Sequence, residues 1–204
     1  MIKAILFDFD GVLTTDKTGS ESTCKYISAQ TGLDHQTVVS AYRKYNSDLL
    51  YGKTTHADIW GNLCRDIGAE ISFDVLTDSF IHTPIDWDMV RLVEKAKENQ
   101  YKTGLVTDNK KDRIDSVISH NSWGGLFDAI AVSADVGSGK NKEYIFSAAL
   151  KQLGLAAAGC IFIDNSPGNL IVPEKMGIKT IFFDDEERDI PALITSLCDS
   201  GVML

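Results

Sequence analysis

Short apolar runs alternate with amphipathic segments along most of the chain. Runs that are apolar on both faces are typical of strands in a parallel sheet, and five occur: Ala4–Phe9, Thr103–Thr107, Ala129–Ser133, Cys160–Asp164 and Lys179–Phe183. Helical periodicity lies between them, at Trp87–Asn99, Lys111–His120, Lys142–Leu153 and Asn169–Met176. Because strands alternate with helices, the pattern predicts βαβ units in a doubly wound α/β fold.

The stretch from residue 15 to residue 85 breaks this alternation. It contains no convincing strand and several amphipathic segments, of which Thr55–Gly68 is the clearest. Thr55 and Asp58 have the spacing of a capping box, and apolar residues recur on one face behind them. We therefore predict a core made of residues 1–14 and 86–204, with a small helical domain formed by residues 15–85.

Charge and composition narrow the classes of partner and compartment. The formal net charge of −9 argues against a nucleic-acid partner. The four cysteines form no C-x-x-C pair, so neither a disulfide framework nor a zinc site is expected. The N-terminal run is too short and too acidic for a signal peptide, and no stretch reaches membrane-spanning length. These features favour a cytoplasmic protein.

Two carboxylates stand at the end of the first predicted strand. Asp8 and Asp10 are followed by Gly11, and ligands of open parallel sheets bind beyond the carboxyl ends of the strands. Residues two apart in a strand point the same way, so both carboxylates should face one site if extended geometry persists. Two carboxylates so close together need a cation or a shared proton.

Four motifs in order resemble those of the haloacid dehalogenase superfamily, and together they span most of the chain. ILFDFDGVL (residues 5–13) is similar to the first motif, D-x-D-G-[TV]-[LV] in phosphatase members. GLVTDN (104–109) resembles the second motif, an apolar strand that ends in Ser or Thr. Lys140, ahead of Ile145 and Phe146, is similar to the lysine of the third motif, and IFIDNSPGN (161–169) resembles the fourth. The resemblance implies a Rossmann-like core.

The resemblance also implies roles for individual residues. Asp8 would attack phosphorus and form an aspartyl-phosphate, and Asp10 would act as general acid and base. Thr107 would hydrogen-bond a phosphoryl oxygen, and Lys140 would neutralise charge beside Asp8, with Lys142 as the fallback. The implied catalytic residues are thus Asp8, Asp10, Thr107 and Lys140, and the implied substrate contacts are Thr107, Asp108 and Lys140.

The implied cofactor is Mg²⁺, held by Asp8, by the backbone carbonyl of Asp10 and by the fourth motif. Many relatives read D-D-S or E-D-S where this chain reads Asp164-Asn165-Ser166. Asn165 therefore replaces an acid that usually ligates the metal, which leaves one formal charge fewer in the site. Either Asp164 or Asn165 could be the direct ligand.

The helical domain falls where this family carries its C1 cap. Residues 51–60, YGKTTHADIW, resemble a turn common in such caps, and caps exclude water and select the substrate. Four basic residues of this segment are candidate substrate contacts, although each is more readily explained as solvated surface: Arg43, Lys44, Lys53 and His56.

The implied activity is Mg²⁺-dependent hydrolysis of a small phosphate monoester, such as a sugar phosphate. A phosphomutase or phosphotransferase uses the same four motifs and remains open. A dehalogenase needs neither the general acid nor the metal, so Asp10 argues against it. A non-catalytic binding protein draws support only from Asn165. The sequence does not predict the oligomeric state.

Overall fold

The computed structural model describes all residues, 1–204, and contains one five-stranded parallel sheet. The strand order is β3-β2-β1-β4-β5, with β1 Ala4–Phe7, β2 Lys102–Thr107, β3 Ala129–Val132, β4 Cys160–Asp164 and β5 Lys179–Phe182. The predicted doubly wound α/β fold is confirmed. β1 lies at the centre, so the residues that follow it lie near the ends of both β2 and β4.

Ten α-helices accompany the sheet, none of them both long and apolar enough to cross a membrane. The six helices after residue 86 are α5 Trp87–Glu98, α6 Lys111–His120, α7 Ser133–Val136, α8 Glu143–Leu153, α9 Pro167–Lys175 and α10 Ile190–Asp199. The four predicted core helices are therefore present, with ends that differ by two residues or fewer. α7 and α10 were not predicted.

The two faces of the sheet bury separate hydrophobic clusters, which explains why β1 is apolar throughout. Ile5 and Phe7 belong to a cluster with residues of α5, α6 and α10. Ala4 and Leu6 belong to a second cluster, built largely with residues of α8. Alternate side chains of β1 thus enter opposite cores, as the strand period of two requires.

Residues 15–85 contain four helices and no strand of the sheet: α1 Gly19–Thr31, α2 His35–Leu50, α3 His56–Ile67 and α4 Phe73–Ile81. They pack around a third hydrophobic cluster of their own. The predicted helix is confirmed as α3, where Thr55 and Asp58 form the capping box and Gly68 ends the helix with φ +82°. The chain enters and leaves this segment at one place, because Thr14 and Ile85 form an antiparallel bridge.

Candidate active site

Residues of the four motifs meet at the carboxyl ends of three adjacent strands. Asp8 follows β1, Thr107 ends β2 and Asp164 ends β4. A cavity of about 770 Å³ lies above them and is lined on the other side by residues of α1 and α2. This is the edge at which open parallel sheets bind ligands.

A tight turn after β1 fixes the positions of Asp8 and Asp10. The strand ends at Phe7, and the amide of Thr14 donates to the carbonyl of Phe9 at 3.1 Å. Gly11 adopts φ +79°, and a β-carbon at this position would overlap the Asn165 side chain, so the turn requires glycine. The strand itself ends before Asp8, but Asp8 (φ −70°, ψ 165°) and Asp10 (φ −73°, ψ 131°) each keep an extended backbone, and both line the cavity.

Asp8 is held beside a buried lysine. Its Oδ2 lies 2.7 Å from Nζ of Lys140, and its Oδ1 accepts from the amide of Phe9 at 2.7 Å. Burial raises the pKa of Asp8 to about 7, against the opposing charge of Lys140. Burial acts to lower the pKa of Lys140, but the carboxylates of Asp8 and Asp164 outweigh it and raise that pKa above its usual value. Lys142 is exposed and does not reach this site.

Asp164 and Asn165 face different surroundings. Asp164 is fully buried; its carboxylate accepts from Lys140 Nζ at 2.6 Å, from the amide of Ser166 and from the side chain of Asn169. Asn165 instead lines the cavity, where its side chain lies against Gly11. Asp164 is thus placed to anchor Lys140, whereas Asn165 presents its amide to the cavity.

Asp10 is clamped by an arginine that the motifs do not include. Nη2 and Nη1 of Arg113 donate to the two carboxylate oxygens at 2.8 and 3.0 Å, and the side-chain amide of Asn109 donates to Oδ2 at 2.7 Å. Arg113 is 1% exposed. Gly19 packs so closely that a β-carbon there would overlap the Arg113 guanidinium. The first turn of α1 therefore covers this pair and requires glycine.

Thr107 and Asp108 both line the cavity but differ in burial. Thr107 is 1% exposed, and its hydroxyl accepts from Asn109 at 3.3 Å. Asp108 is exposed, and its carboxylate accepts from the backbone amide of Lys140 at 2.9 Å. Asp108 therefore positions the Lys140 loop by a hydrogen bond.

The donor set at the end of β1 suits a hard divalent cation. The side chains of Asp8 and Asn165 and the backbone of Asp10 offer oxygen atoms, which Mg²⁺ prefers. No three His, Cys, Asp or Glu side chains converge into a metal cluster, here or elsewhere, but Mg²⁺ commonly binds through only one or two carboxylates and water. The Asp8–Lys140–Asp164 group carries two carboxylates and one ammonium, so an added cation would offset its remaining negative charge.

The candidate contacts from the helical segment are dispersed. Arg43 lines the cavity, whereas Lys44 pairs with an aspartate on the surface and Lys53 does the same. His56 was expected on the surface, but it is fully buried and contacts Tyr42 and Asp112. It therefore joins α3 to α6 and does not line the cavity.

Two charged residues near the cavity were not predicted from the sequence: Lys110, directly before α6, and Arg113, on α6. Both are buried and lie near the cavity, yet they read as polar positions of a surface helix. One signal was available for Arg113. It precedes Val117 by four residues and so shares the buried face of α6.

Comparison with known proteins agrees with this geometry. The profile of the haloacid dehalogenase-like hydrolases matches residues 2–196. The chain therefore belongs to the haloacid dehalogenase-like hydrolases. No curated protein sequence matches the chain.

Several solved structures share the fold. A predicted HAD-like family hydrolase from Porphyromonas gingivalis is 24% identical, with a TM-score of 0.72 over 97% of this chain and 98% of that one. A HAD family enzyme from Bacteroides thetaiotaomicron, in complex with magnesium and inorganic phosphate, is 20% identical, with a TM-score of 0.73 over 90% and 94%. An L-2-haloacid dehalogenase from Xanthobacter autotrophicus is 14% identical, with a TM-score of 0.65 over 90% and 78%.

Proposed function

We propose that this hydrolase cleaves small phosphate monoesters with Mg²⁺, using Asp8 as the nucleophile and residues 15–85 as the cap. The observation that carries the proposal is the placement of Asp8 on the cavity wall, 2.7 Å from Lys140 and two residues before Asp10, which lines the same cavity. A nucleophile, a cation for the phosphoryl oxygens and a proton carrier are the groups that phosphoryl transfer requires. The magnesium–phosphate complex of the Bacteroides enzyme supports the same class of chemistry.

In the first step, a carboxylate oxygen of Asp8 bonds to phosphorus as the bond from phosphorus to the leaving oxygen breaks. Lys140 lies beside Asp8 and neutralises charge on the transferring oxygens, while the Thr107 hydroxyl is placed to hydrogen-bond one of them. Because Asp164 holds Lys140 at 2.6 Å, the ammonium is positioned before substrate enters.

In the second step, water attacks the phosphorus of the aspartyl-phosphate, which releases inorganic phosphate and restores Asp8. Once Asp10 has given its proton to the leaving oxygen in the first step, its carboxylate, held by Arg113 and Asn109, can accept the proton of that water. The same proton then passes to the leaving oxygen in the next turnover, which balances the cycle.

The residues that would hold Mg²⁺ are Asp8, the backbone of Asp10 and Asn165. Bound there, the ion would supply positive charge that keeps Asp8 ionised and stabilises the phosphoryl oxygens. Because Asn165 is neutral, this site offers a weaker attraction for the ion than one with an acid at that position.

Release of inorganic phosphate tests the proposal. Phosphorylated metabolites and para-nitrophenyl phosphate are incubated with the protein, with and without Mg²⁺. We expect Mg²⁺-dependent release that is lost in Asp8→Asn and kept in Asp115→Asn, since Asp115 is an exposed aspartate of α6 that pairs with Lys111. Release of halide from 2-haloacids without phosphate release would identify a dehalogenase instead, and interconversion of phosphate esters without release would identify a mutase.

A further inference from the structure

We propose that the cavity contains a second anion-binding site, formed by Lys110, Ser20, Arg43 and Asn46, which we call the cap-side anion site. It would bind a carboxylate or a second phosphate of the substrate. The preferred substrates are then phosphate esters that carry another anionic group. This inference rests on the proposed phosphatase function and narrows its substrate class.

Lys110 is a buried cation without a carboxylate partner. It is 4% exposed, and its ammonium donates one hydrogen bond, to the Ser20 hydroxyl at 2.8 Å. The other two deeply buried cations, Lys140 and Arg113, each form ion pairs with aspartates. Burying an unpaired charge costs free energy. A lysine retained in this state on a cavity wall indicates a ligand that supplies the missing negative charge.

Residues of α1 and α2 complete the site. The Ser20 hydroxyl donates to the side-chain oxygen of Asn46 at 2.9 Å, which fixes Ser20 beside Lys110. Arg43 precedes Asn46 by three residues and therefore lies on the same face of α2, which lines the cavity. Arg43 is exposed and forms no ion pair with any carboxylate. An ammonium and a guanidinium beside a hydroxyl match the oxygens of a carboxylate or phosphate.

The carboxylates near this site do not neutralise it. Glu21 lines the cavity, but it pairs with Lys25 at 2.9 Å. Asp10 is taken up by Arg113, whose two donors reach both of its oxygens. In a protein of net charge −9, the cations that line this cavity are as numerous as its carboxylates, and two of them, Lys110 and Arg43, form no ion pair.

One small molecule can reach both sites. Thr107 and Lys110 are three residues apart, so their Cα atoms lie at most about 11 Å from each other. The cavity volume of about 770 Å³ is larger than a phosphate group needs and falls within the range of metabolite pockets. A substrate with its phosphate at Asp8 and an anionic group a few bonds away therefore fits the wall.

Matched substrate pairs test the second site. The pairs differ in one anionic group: phosphoglycolate against ethyl phosphate for a carboxylate, and fructose 1,6-bisphosphate against fructose 6-phosphate for a phosphate. The measured quantity is the selectivity, the ratio of kcat/KM for the bis-anionic ester to that for its partner. We expect the wild type to favour the bis-anionic ester in at least one pair. The pair in which it does so shows whether the second site binds a carboxylate or a phosphate.

Variants assign that selectivity to Lys110. Lys110→Met keeps the chain length and removes the charge, so selectivity should fall about 10- to 100-fold, the effect of one charge-assisted hydrogen bond. Lys111→Met is the matched control, because Lys111 is the next residue, is exposed and pairs with Asp115. It should keep the wild-type selectivity. A thermal melt of each variant checks that it is folded.

Binding without turnover separates this proposal from the proposed function. Calorimetry compares phosphonoacetate with ethylphosphonate, two non-hydrolysable probes that differ by a carboxylate, and methylenediphosphonate serves for a second phosphate. Tighter binding of a bis-anionic probe, lost in Lys110→Met, supports the site even if no ester is hydrolysed. The proposal is overturned if the wild type has no preference in any pair, or if Lys110→Met leaves the preference unchanged while hydrolysis proceeds.

Discussion

The cavity wall has two charged regions that differ in how their charges are paired. At the strand ends, Lys140 contacts Asp8 and Asp164, and Arg113 contacts Asp10 through two hydrogen bonds. At the cap-side anion site, Lys110 and Arg43 have no carboxylate partner. The core supplies the first region, whereas the second is formed where α1 and α2 meet the residues before α6.

Under the two proposals, the paired groups are those that react and the unpaired groups are those that bind the substrate. A reacting carboxylate must be held in one geometry, and paired charges with several hydrogen bonds provide that rigidity. A cationic side chain binds a ligand anion more tightly if no protein carboxylate competes for it. The unpaired charge then lowers the stability of the free protein. Each region can be perturbed separately.

The largest effect is expected from removing the nucleophile. Asp8→Asn should lower kcat by roughly 10⁴- to 10⁶-fold, as loss of a covalent nucleophile does elsewhere, while the amide can still accept from Phe9 and the fold is kept. Phosphate release and circular dichroism measure the two quantities. Activity within tenfold of the wild type would show that another residue attacks phosphorus.

Loss of the proton carrier should be next in size. Asp10→Asn should lower kcat about 10²- to 10⁴-fold for alkyl phosphates, and less for para-nitrophenyl phosphate, because its leaving group needs little protonation. Steady-state kinetics on both esters give the comparison. Equal losses on both would indicate that Asp10 serves mainly to hold the turn.

Breaking the clamp on Asp10 should have a smaller effect of the same kind. Arg113→Lys keeps the charge but not the two parallel hydrogen bonds, so we expect kcat for alkyl phosphates to fall about 10- to 100-fold. If Arg113 acts by positioning Asp10, the change should add little in the Asp10→Asn background. Additive losses in this double-mutant cycle would instead assign Arg113 a structural role independent of Asp10.

The cap-side region should respond in the opposite direction, by gaining stability. Burial, followed by the charge of Arg113, lowers the pKa of Lys110 from 10.5 to about 8, against Asp10, Cys24 and Asp112; Tyr42 packs over the ammonium. A lowering of the pKa from 10.5 to about 8 corresponds to roughly 3–4 kcal/mol at most. Lys110→Met should therefore raise the free energy of unfolding by about 1–3 kcal/mol at pH 7.

The sign of the pH dependence provides a control. Since the folded state binds fewer protons than the unfolded state between pH 8 and pH 10.5, the wild type recovers stability as the pH rises through this window. The advantage of Lys110→Met should be largest below pH 8 and should shrink towards pH 10.5. Urea unfolding at several pH values measures it, and a variant less stable than the wild type at pH 7 would contradict the prediction.

The smallest effect is expected at Asn165. Asn165→Asp adds a carboxylate on the cavity side of the fourth motif, so the Mg²⁺ concentration at half-maximal activity should fall about three- to tenfold. Titration of activity with Mg²⁺ measures this. An unchanged midpoint would show that residue 165 does not contact the ion, and would return attention to Asp164.

The sequence predicted best what short-range patterns control. The apolar run of β1 identified the central strand, and Thr55, Asp58 and Gly68 fixed α3 because capping depends on residues a few positions apart. The site residues of the four motifs are brought to one edge of the sheet, as the resemblance implied. Their catalytic roles and the boundary between core and cap stay predictions.

Contacts between distant parts of the chain account for what was missed. Lys110 meets Ser20 across 90 positions and Arg113 meets Asp10 across 103, and no local periodicity contains such pairings. His56 was expected at the surface because its burial depends on α6, which packs against it through Asp112. The different surroundings of Asp164 and Asn165 likewise depend on Lys140, which lies in another loop and, of the two, contacts only Asp164.

The antiparallel bridge between Thr14 and Ile85 makes it possible to replace the helical region between them as a unit. The amide of Thr15 donates to the carbonyl of Pro84, and that of Asp86 to the carbonyl of Leu13. The two segments that connect the helical region to the sheet are therefore hydrogen-bonded side by side. If the helical region were removed between Thr14 and Ile85, the two new chain ends would lie side by side, and a turn of a few residues would join them. Helical segments of different length and shape can therefore be grafted at the same position during evolution or in engineering, with no change in the register of the sheet.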